Sequence, residues 1–271
     1  MITFEELQAV FSMGVLRNAL IVGSLLSVTA ALLGVVLVLK RYAMIGDGLS
    51  HVTFAAMAMA IAFHQAPLAF SLPIVILSAF LLLRISENSK VTGDAAIAVV
   101  STSALAIGAI AARGTNTDIE SFMFGSIVSI TTSDVILTVI LASIVIALYV
   151  FFYPRIFSVT FDETYAKASG GKPALYRAMI AVMTAVIVVL GMRLVGSLLI
   201  SALIIFPVLS AMRLVKSFRA VVTVSAILSL VSFWIALTMS VLFSTSTSAC
   251  IVLADLLIFM VSTLLSRLQR A

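Results

Sequence analysis

Long runs of apolar residues, separated by short polar breaks, are the feature that most constrains this chain. A helix that crosses the ~30 Å hydrocarbon core of a bilayer needs about 20 apolar residues, because each residue adds about 1.5 Å. Nine runs approach that length, at residues 14–39, 43–64, 67–83, 94–112, 133–153, 176–193, 197–213, 220–243 and 248–266. The sequence therefore predicts an all-α polytopic membrane protein.

Composition excludes a soluble globular protein. Of the 271 residues, 63% are hydrophobic and 10% are charged, and the mean hydropathy is +1.28. So few polar side chains cannot cover the surface of a water-soluble domain of this size.

Residues 194–196 alone separate the runs 176–193 and 197–213, so eight spans remain an alternative to nine. We expect a single transmembrane domain over residues 1–271, with eight or nine helices.

Lysine and arginine residues indicate how the spans are oriented. If nine spans alternate across the membrane, the loops on one side carry most of the basic residues, namely Lys40, Arg41, Arg84, Lys90, Arg155, Lys167, Lys172, Arg177, Arg213, Lys216, Arg219, Arg267 and Arg270. Short loops rich in these residues stay in the cytoplasm. We therefore predict an extracytoplasmic N-terminus and a cytoplasmic C-terminus. The first residues include no basic segment, so they do not resemble a cleaved signal peptide.

The net charge of +5 does not indicate a nucleic-acid partner. The basic residues stand singly at the ends of loops, whereas a nucleic-acid surface usually has a basic stripe with interleaved aromatic residues. The charge distribution is instead typical of anchors at a membrane surface. We predict no nucleic-acid partner.

Asp47 and His51 are two ionisable residues in the second apolar run. Such groups are costly inside a membrane unless they are paired, face a cavity or hold an ion. At i and i+4 they share one helix face, about 6 Å apart, and Zn²⁺, Mn²⁺ and Fe²⁺ accept carboxylate and imidazole ligands. Counted from Lys40, His51 lies about 15 Å into the membrane, near its midplane. We predict a metal transit site, the alternative being a helix cap at Asp47 and an interhelical hydrogen bond at His51.

Other ionisable residues are weaker candidates for the pathway. Asp255 lies within the last run, where a structural pair with Arg193 or with nearby hydroxyl groups is the alternative to a metal contact. Glu120 lies on a loop that we place outside, where an ordinary solvated loop is the alternative. We expect Asp94 and Asp134, which lead their runs, to be helix N-caps. We expect His64 to lie at the membrane interface. Cys250 has no second cysteine to pair with, and we expect it to be a buried thiol.

The polar segment at about 157–175 differs from the other loops. Acidic residues in "DETYAKA" suit a helix N-terminus, and Gly170, Gly171 and Pro173 would end the helix. We expect a short helix on the cytoplasmic face, which is either a simple tether or a docking element for a partner. The chain has no G-x-x-x-x-G-K-[ST] phosphate loop, so uphill transport would require a separate ATPase.

Several motifs match one family in order along the chain. "LVLKRYAMIGDGLSHVTFAA" contains a [GS]-D-x-L-[SA]-H pattern, and "FDETYAKASG" fits F-D-x-x-x-A-x-x-x-G. Both resemble the zinc/manganese/iron ABC permeases, as do four further segments, "TGDAAIAVVSTSALAIGAI", "SFMFGSIVSITTSDV", "VGSLLISALIIFPVLSA" and "TSACIVL". The resemblance gives Asp47 and His51 the role of metal ligands. It also implies an ATPase-coupling segment that contains Phe161, Asp162, Ala166 and Gly170.

The resemblance implies the membrane subunit of an ATP-driven importer in a bacterial or archaeal plasma membrane. The expected partners are cytoplasmic ATP-binding subunits, an extracytoplasmic metal-binding protein and a second permease copy or a close relative. The metal, Zn²⁺, Mn²⁺ or Fe²⁺, is substrate rather than a bound cofactor, and the sequence leaves its identity open. Two alternatives are a permease for a metal chelate of the siderophore or cobalamin type and a passive metal channel. An enzyme is not expected, because no general base lies on the face of Asp47 and His51.

Overall fold

The computed structural model describes residues 14–88, 93–113, 131–243 and 245–268. In those parts of the chain every regular element is a helix. The helices are α1 (Gly14–Leu39), α2 (Ile45–Ala62), α3 (Pro67–Asn88), α4 (Gly93–Ala112), α5 (Thr132–Phe151), α6 (Tyr153–Phe161), α7 (Glu163–Ala168), α8 (Pro173–Val195), α9 (Ser197–Leu214), α10 (Phe218–Phe243) and α11 (Thr247–Leu268).

Eight of these helices are long and apolar enough to cross a bilayer, namely α1 to α5, α8, α10 and α11. The prediction of an all-α, multi-pass membrane protein is therefore confirmed. The remaining apolar helix, α9, qualifies only as a shorter one, over Leu199–Leu214. The two runs at 176–193 and 197–213 form separate helices, as the prediction of nine runs required.

Gly196 makes the turn between α8 and α9. Its φ of 98° lies in the left-handed region that residues with a Cβ rarely adopt. Beyond this turn the side chain of Ile200 in α9 lies so close to Gly191 of α8 that a Cβ on Gly191 would clash with it. The two helices are thus separated by a sharp turn.

The helices divide into a buried centre and an apolar outer layer. Helices α1, α2 and α8 supply much of the buried core, including Leu26, Leu49 and Ile187. The outer helices expose large apolar side chains such as Val99, Ile110, Ile136, Trp234 and Leu257. An apolar surface of this extent would be unfavourable in water and suits contact with lipid.

Close helix contacts are made through glycine. A Cβ on Gly34 of α1 would clash with the backbone carbonyl oxygen of Ile204 in α9. A Cβ on Gly108 of α4 would meet the ring of Phe54 at 2.6 Å and the Cα of Ala55 at 3.0 Å. Small residues allow this approach and favour association of helices within lipid, where hydrophobic burial contributes little. These contacts hold α9 against α1 and α4 against α2.

Two short helices connect α5 to α8. Helix α6 buries Ile156 and Val159 and exposes Phe157 and Phe161. Asp162 caps α7, because its Oδ1 accepts hydrogen bonds from the backbone N–H groups of Thr164 and Tyr165, both at 2.9 Å. The short helix predicted from "DETYAKA" is therefore present in the structure.

The end of this segment also has a local explanation. Gly170 has a φ of 76°, and the N–H of Gly171 donates to the carbonyl oxygen of Ala166 at 2.9 Å, which closes α7. Pro173 begins α8 as its first helical residue, where the missing N–H costs nothing. Residues from Phe157 to Phe161 belong to α6, which begins earlier than the predicted segment.

Three minor predictions were wrong. Asp94 is not an N-cap, because α4 begins at Gly93 and Asp94 lies in its first turn. Asp134 is not the N-cap of α5: Thr131 is, and Asp134 closes a capping box by accepting from the backbone N–H of Thr131 at 3.1 Å. Cys250 is partly exposed rather than buried, with its Sγ 3.2 Å from the Oγ1 of Thr245.

Candidate metal transit site

The side chains of Asp47 and His51 lie together on one face of α2. The Nε2 of His51 lies 3.6 Å from the Oδ2 of Asp47, as the i, i+4 spacing predicts. A third side chain joins them from α9, where the Oγ of Ser201 donates to the Oδ1 of Asp47 at 3.4 Å. The site therefore consists of a carboxylate, an imidazole and a hydroxyl group from two helices.

The exposure of this pair distinguishes it from the rest of α2. From Ile45 to Ala58, every residue except Asp47 and His51 is buried. The side chains of Asp47 and His51 are 36% and 24% exposed. In α9, Ser201, Ile205 and Leu209 are also partly exposed, and their spacing puts them on one helix face. The two ionisable side chains and this face of α9 are thus both partly accessible.

The alternative role of Asp47 as a helix cap is not what the structure shows. Met44 is the N-cap of α2 and makes no side-chain cap hydrogen bond. The carboxylate of Asp47 is directed to His51 and Ser201 instead. Its place in the first turn still lets the helix dipole favour its negative charge.

His51 lies less deep in α2 than the sequence suggested. The helix begins at Ile45, so His51 is about 9 Å from its start at ~1.5 Å per residue, rather than the ~15 Å counted from Lys40. Residues from Lys40 to Met44 form a turn and add little depth. The middle of this 18-residue helix is about 13 Å from its start, so His51 lies within about 4 Å of the middle while Asp47 lies in the first turn.

Glycines on both sides of Asp47 bring two other helices close to the site. A Cβ on Gly46 would lie 2.7 Å from the Cδ1 of Ile204 in α9. A Cβ on Gly48 would lie 2.8 Å from the Cγ2 of Ile97 in α4. Helix α2 is thus held tightly between α4 and α9 at the position of Asp47, which fixes the direction of its carboxylate.

One copy of the chain supplies only part of a metal-coordination sphere here. No group of three or more His, Cys, Asp and Glu side chains forms within the part of the chain that the structure describes. Asp47 and His51 give one oxygen ligand and one nitrogen ligand, whereas Zn²⁺ usually takes four ligands and Mn²⁺ six. Water or a second protein chain would have to supply the others.

Asp255 does not join this pair. It is buried in α11, only 2% exposed, and its Oδ2 has no hydrogen-bond partner. Ser232 of α10 lies close enough to interact with the carboxyl group of Asp255. Glu120 lies outside the described residues, as does the side chain of Arg193.

His64 is an exposed residue beyond the end of α2. It adopts a left-handed φ of 54°, its N–H donates to the carbonyl oxygen of Ile61, and the next N–H donates to that of Ala60. This is the hydrogen-bond pattern that commonly ends a helix. His64 therefore has a structural role outside the site.

The residues of the predicted coupling segment each have a defined position. Phe161 is exposed at the end of α6, Asp162 caps α7, Ala166 is buried, and Gly170 supplies the left-handed turn. Tyr165 adds a second exposed aromatic ring. The segment therefore presents aromatic side chains outward from a well-defined backbone.

Sequence reasoning missed two features around these sites. Ser201 is one hydroxyl within an apolar run, and nothing in its local sequence indicates contact with Asp47. Glu163 forms ion pairs with the Nζ of Lys40 at 2.5 Å and with an Nη of Arg177 at 3.1 Å. These partners come from different elements, so their proximity is a property of the fold.

Comparison with known proteins gives a consistent match over most of the chain. The ABC 3 transport family matches residues 12–266. Relatives include a probable iron transport system membrane protein of Haemophilus influenzae, 27% identical over 94% of both chains, and the manganese import system permease protein ScaB of Streptococcus gordonii, 27% identical over 98% of this chain and 96% of that one. The high-affinity zinc uptake system membrane protein ZnuB of Haemophilus influenzae is 26% identical over 92% and 96%.

Solved structures show the same architecture. PsaBC from Streptococcus pneumoniae, determined in complex with Fab, superposes with a TM-score of 0.86 at 25% identity and covers 95% of this chain and 94% of that one. An inward-facing transporter described as of the metal-chelate type gives a TM-score of 0.76 at 16% identity, a likeness of fold alone.

Proposed function

This chain belongs to the ABC 3 transport family, and we propose that it is the membrane-spanning subunit of an ATP-driven importer for a divalent transition metal ion. The observation that carries the proposal is the exposure of Asp47 and His51, the two residues that are not buried between Ile45 and Ala58. Keeping two ionisable groups accessible within a packed span is costly unless they act on a solute.

The donor set supports a transition metal as substrate. Carboxylate and imidazole ligands suit Zn²⁺, Mn²⁺ and Fe²⁺, and relatives are named for iron, manganese and zinc. The side-chain hydroxyl of Ser201 orients the carboxylate and adds no strong ligand.

Cytoplasmic ATP-binding subunits are the proposed source of energy. The exposed rings of Phe161 and Tyr165 offer an apolar docking surface. Beside them lies a cleft of about 620 Å³, lined by Glu163, Thr164, Lys167, Gly171, Lys172, Pro173, Ala174 and Arg177. Its basic residues would attract an acidic partner surface. We propose an extracytoplasmic metal-binding protein as the donor at the opposite face.

A second permease copy would complete the site. Helix α4, which packs against α2, exposes a row of small residues at helical spacing, namely Ala95, Ala98, Thr102, Ala106 and Ala109. Such a row allows close helix contact within lipid. Two copies would bring two carboxylates and two imidazoles to one pathway, which meets the ligand number that a metal needs.

The basic loops support an extracytoplasmic N-terminus and a cytoplasmic C-terminus. Glu163 of α7 pairs with both Lys40 and Arg177. The turn after α1, helix α7 and the first part of α8 therefore share one side. With α9 as a ninth crossing, α8 and α9 return the chain to that same side. We propose that this side is the cytoplasm, and that residues 1–271 act as one transmembrane domain with its coupling segment at 157–175.

Metal uptake by variants of the two histidines tests the proposal. Cells that express the permease with its ATPase and binding protein would be given radioactive zinc or manganese, and uptake would be compared at equal membrane abundance. We expect His51→Ala to abolish ATP-dependent uptake. His64→Asn is the matched control, because asparagine tolerates the left-handed backbone and only the imidazole is removed.

The same assay separates the alternatives. Uptake that continues when the ATPase is inactive would identify a passive channel. Uptake of a chelated metal but not of free zinc or manganese would identify a chelate permease. Full uptake by His51→Ala would contradict the proposed role of the pair.

A further inference from the structure

Glu163 joins three separate elements by ion pairs. Its Oε1 lies 2.5 Å from the Nζ of Lys40, in the turn after α1, and its Oε2 lies 3.1 Å from an Nη of Arg177, in α8. The side chains of Lys40, Arg177 and Glu163 are 14%, 27% and 38% exposed, so the two bases are partly withdrawn from water while the shared carboxylate stays accessible. The partial burial of the bases reduces screening of the pairs by salt.

Glu163 is also the first residue of α7, directly after the cap at Asp162. Helix α7 contacts α6 and α8, its neighbours along the chain. In addition, the ion pair of Glu163 with Lys40 connects α7 to the turn after α1. A displacement of α7 would therefore pull on Lys40 through the carboxylate of Glu163. Lys40 and Glu163 are 123 residues apart, so the link is made by the fold alone.

The turn that carries Lys40 leads stiffly into α2. Arg41 has a left-handed φ of 62°, the N–H of Tyr42 donates to Leu37 at 2.7 Å, and that of Arg41 donates to Val38 at 3.1 Å. These two bonds form the motif that locks the end of a helix. The N–H of Ile45, the first residue of α2, then donates to the carbonyl oxygen of Tyr42 at 3.0 Å. Asp47 follows two residues later.

A small cavity lies beside this connection. It has a volume of about 20 Å³, and its lining includes Lys40 and Arg177 at one end and Ile45 and Leu49, which flank Asp47, along α2. Close-packed interiors resist movement, whereas a gap of this size leaves room for apolar side chains to shift. The face of α2 that carries Ile45 and Leu49 therefore borders free space, whereas its flanks at Gly46 and Gly48 contact α9 and α4 closely.

We infer that Glu163 is a positioning residue that transmits movement of α7 to Asp47 and His51, through Lys40 and the first turn of α2. Arg177 of α8 holds the other carboxylate oxygen and restrains rotation of the Glu163 side chain. A movement of α7 is therefore passed on to Lys40 instead of being absorbed by that rotation. This inference rests on the proposed ATP-driven function, because it assigns α7 as the element that the ATPase moves.

The test is a labelling experiment that needs no transported metal. Cys250→Ser removes the one native cysteine, Ser201→Cys places a reporter thiol beside Asp47, and its reaction with a maleimide is timed in the permease–ATPase complex with and without ATP. We expect ATP to change the labelling rate about fivefold or more, the lower end of usual coupling between sites. Glu163→Gln should abolish that ATP dependence while the complex still hydrolyses ATP.

Recovery by charge inversion separates this role from a merely structural one. In the triple variant Lys40→Glu, Glu163→Lys, Arg177→Glu, the same three positions again attract one another, and the ATP-dependent change in labelling should return. Asp94→Asn, which removes an exposed carboxylate elsewhere, is the control and should behave as the parent.

Three results would overturn the inference: labelling of the parent complex that ATP does not alter, unchanged ATP dependence in Glu163→Gln, or loss in Glu163→Gln that charge inversion does not restore. Failure of metal uptake in the parent would instead count against the proposed substrate, since labelling is measured without metal.

Discussion

Asp47 of α2 and Asp255 of α11 both lie within apolar spans, and their surroundings are opposite. Asp47 is partly exposed, contacts His51 and Ser201, and is flanked by two glycines that bring α4 and α9 close. Asp255 is 2% exposed, and its Oδ2 has no hydrogen-bond partner. A charged group within a span is therefore not by itself a sign of the pathway, since access and nearby ligands distinguish a transit site from a buried acid.

The largest expected effect comes from removing the charge of Asp47. Asp47→Asn keeps the size of the side chain and should lower metal uptake on the order of 100-fold. Removing a group that only supports a metal ligand already costs about 10–100-fold, and the loss of a ligand itself should cost at least as much. Asp255→Asn is the matched substitution and should keep uptake within about threefold of the parent, a difference below ~1 kcal/mol. Radioactive metal uptake at equal abundance measures both. Equal losses in the two variants would erase the distinction.

Packing around α9, which carries Ser201, gives the next largest effect. Gly34→Ala places a methyl group against the backbone oxygen of Ile204, which cannot rotate away, so we expect a loss of about 3 kcal/mol in stability. Thermal unfolding of the purified protein in detergent measures it. Gly14→Ala is the control, because a Cβ there meets nothing within 4 Å. A Gly34→Ala protein as stable as the parent would argue against the close α1–α9 contact.

Asp255 should have an effect on stability of opposite sign. Asp255→Asn removes the possibility of a buried charge at a carboxylate whose Oδ2 accepts no hydrogen bond, and it should stabilise the protein by about 1 kcal/mol, because an ionised group costs more to bury than an amide. The same unfolding assay would show a higher midpoint. A lower midpoint would mean that the carboxylate has a stabilising partner and would weaken the contrast with Asp47.

Ser201→Ala should have the smallest effect. The hydrogen bond to Asp47 is long, at 3.4 Å, so its loss should change uptake by no more than a few-fold, equivalent to about 0.5–1 kcal/mol. The apparent KM for the metal is the quantity to measure. A loss as large as that of Asp47→Asn would make Ser201 a ligand rather than a group that orients the carboxylate.

Local patterns made much of this structure predictable. Apolar runs of membrane length identified the spans, because the backbone in lipid must satisfy its hydrogen bonds within each helix. The i, i+4 spacing placed Asp47 and His51 on one face for the same geometric reason. Asp134 could also have been assigned correctly, since Thr131 three residues earlier completes a capping-box pattern.

Contacts between distant segments could not be predicted in this way. Ser201 lies 154 residues from Asp47, and its sequence context resembles any apolar helix. The pairing of Glu163 with Lys40 likewise depends on how α7 folds under the bundle. The depth of His51 was overestimated because the left-handed turn at Arg41 ends α1 and delays α2, and arginine gives no sign of that conformation in the sequence.

Equilibrium binding of radioactive Zn²⁺ and Mn²⁺ to the purified permease tests the central claim most directly. The parent protein should bind metal at a site that Asp47→Asn and His51→Ala each remove, while Asp255→Asn and His64→Asn retain it. Binding that survives in both Asp47→Asn and His51→Ala, or that disappears in Asp255→Asn alone, would contradict the assignment of this pair as the metal transit site.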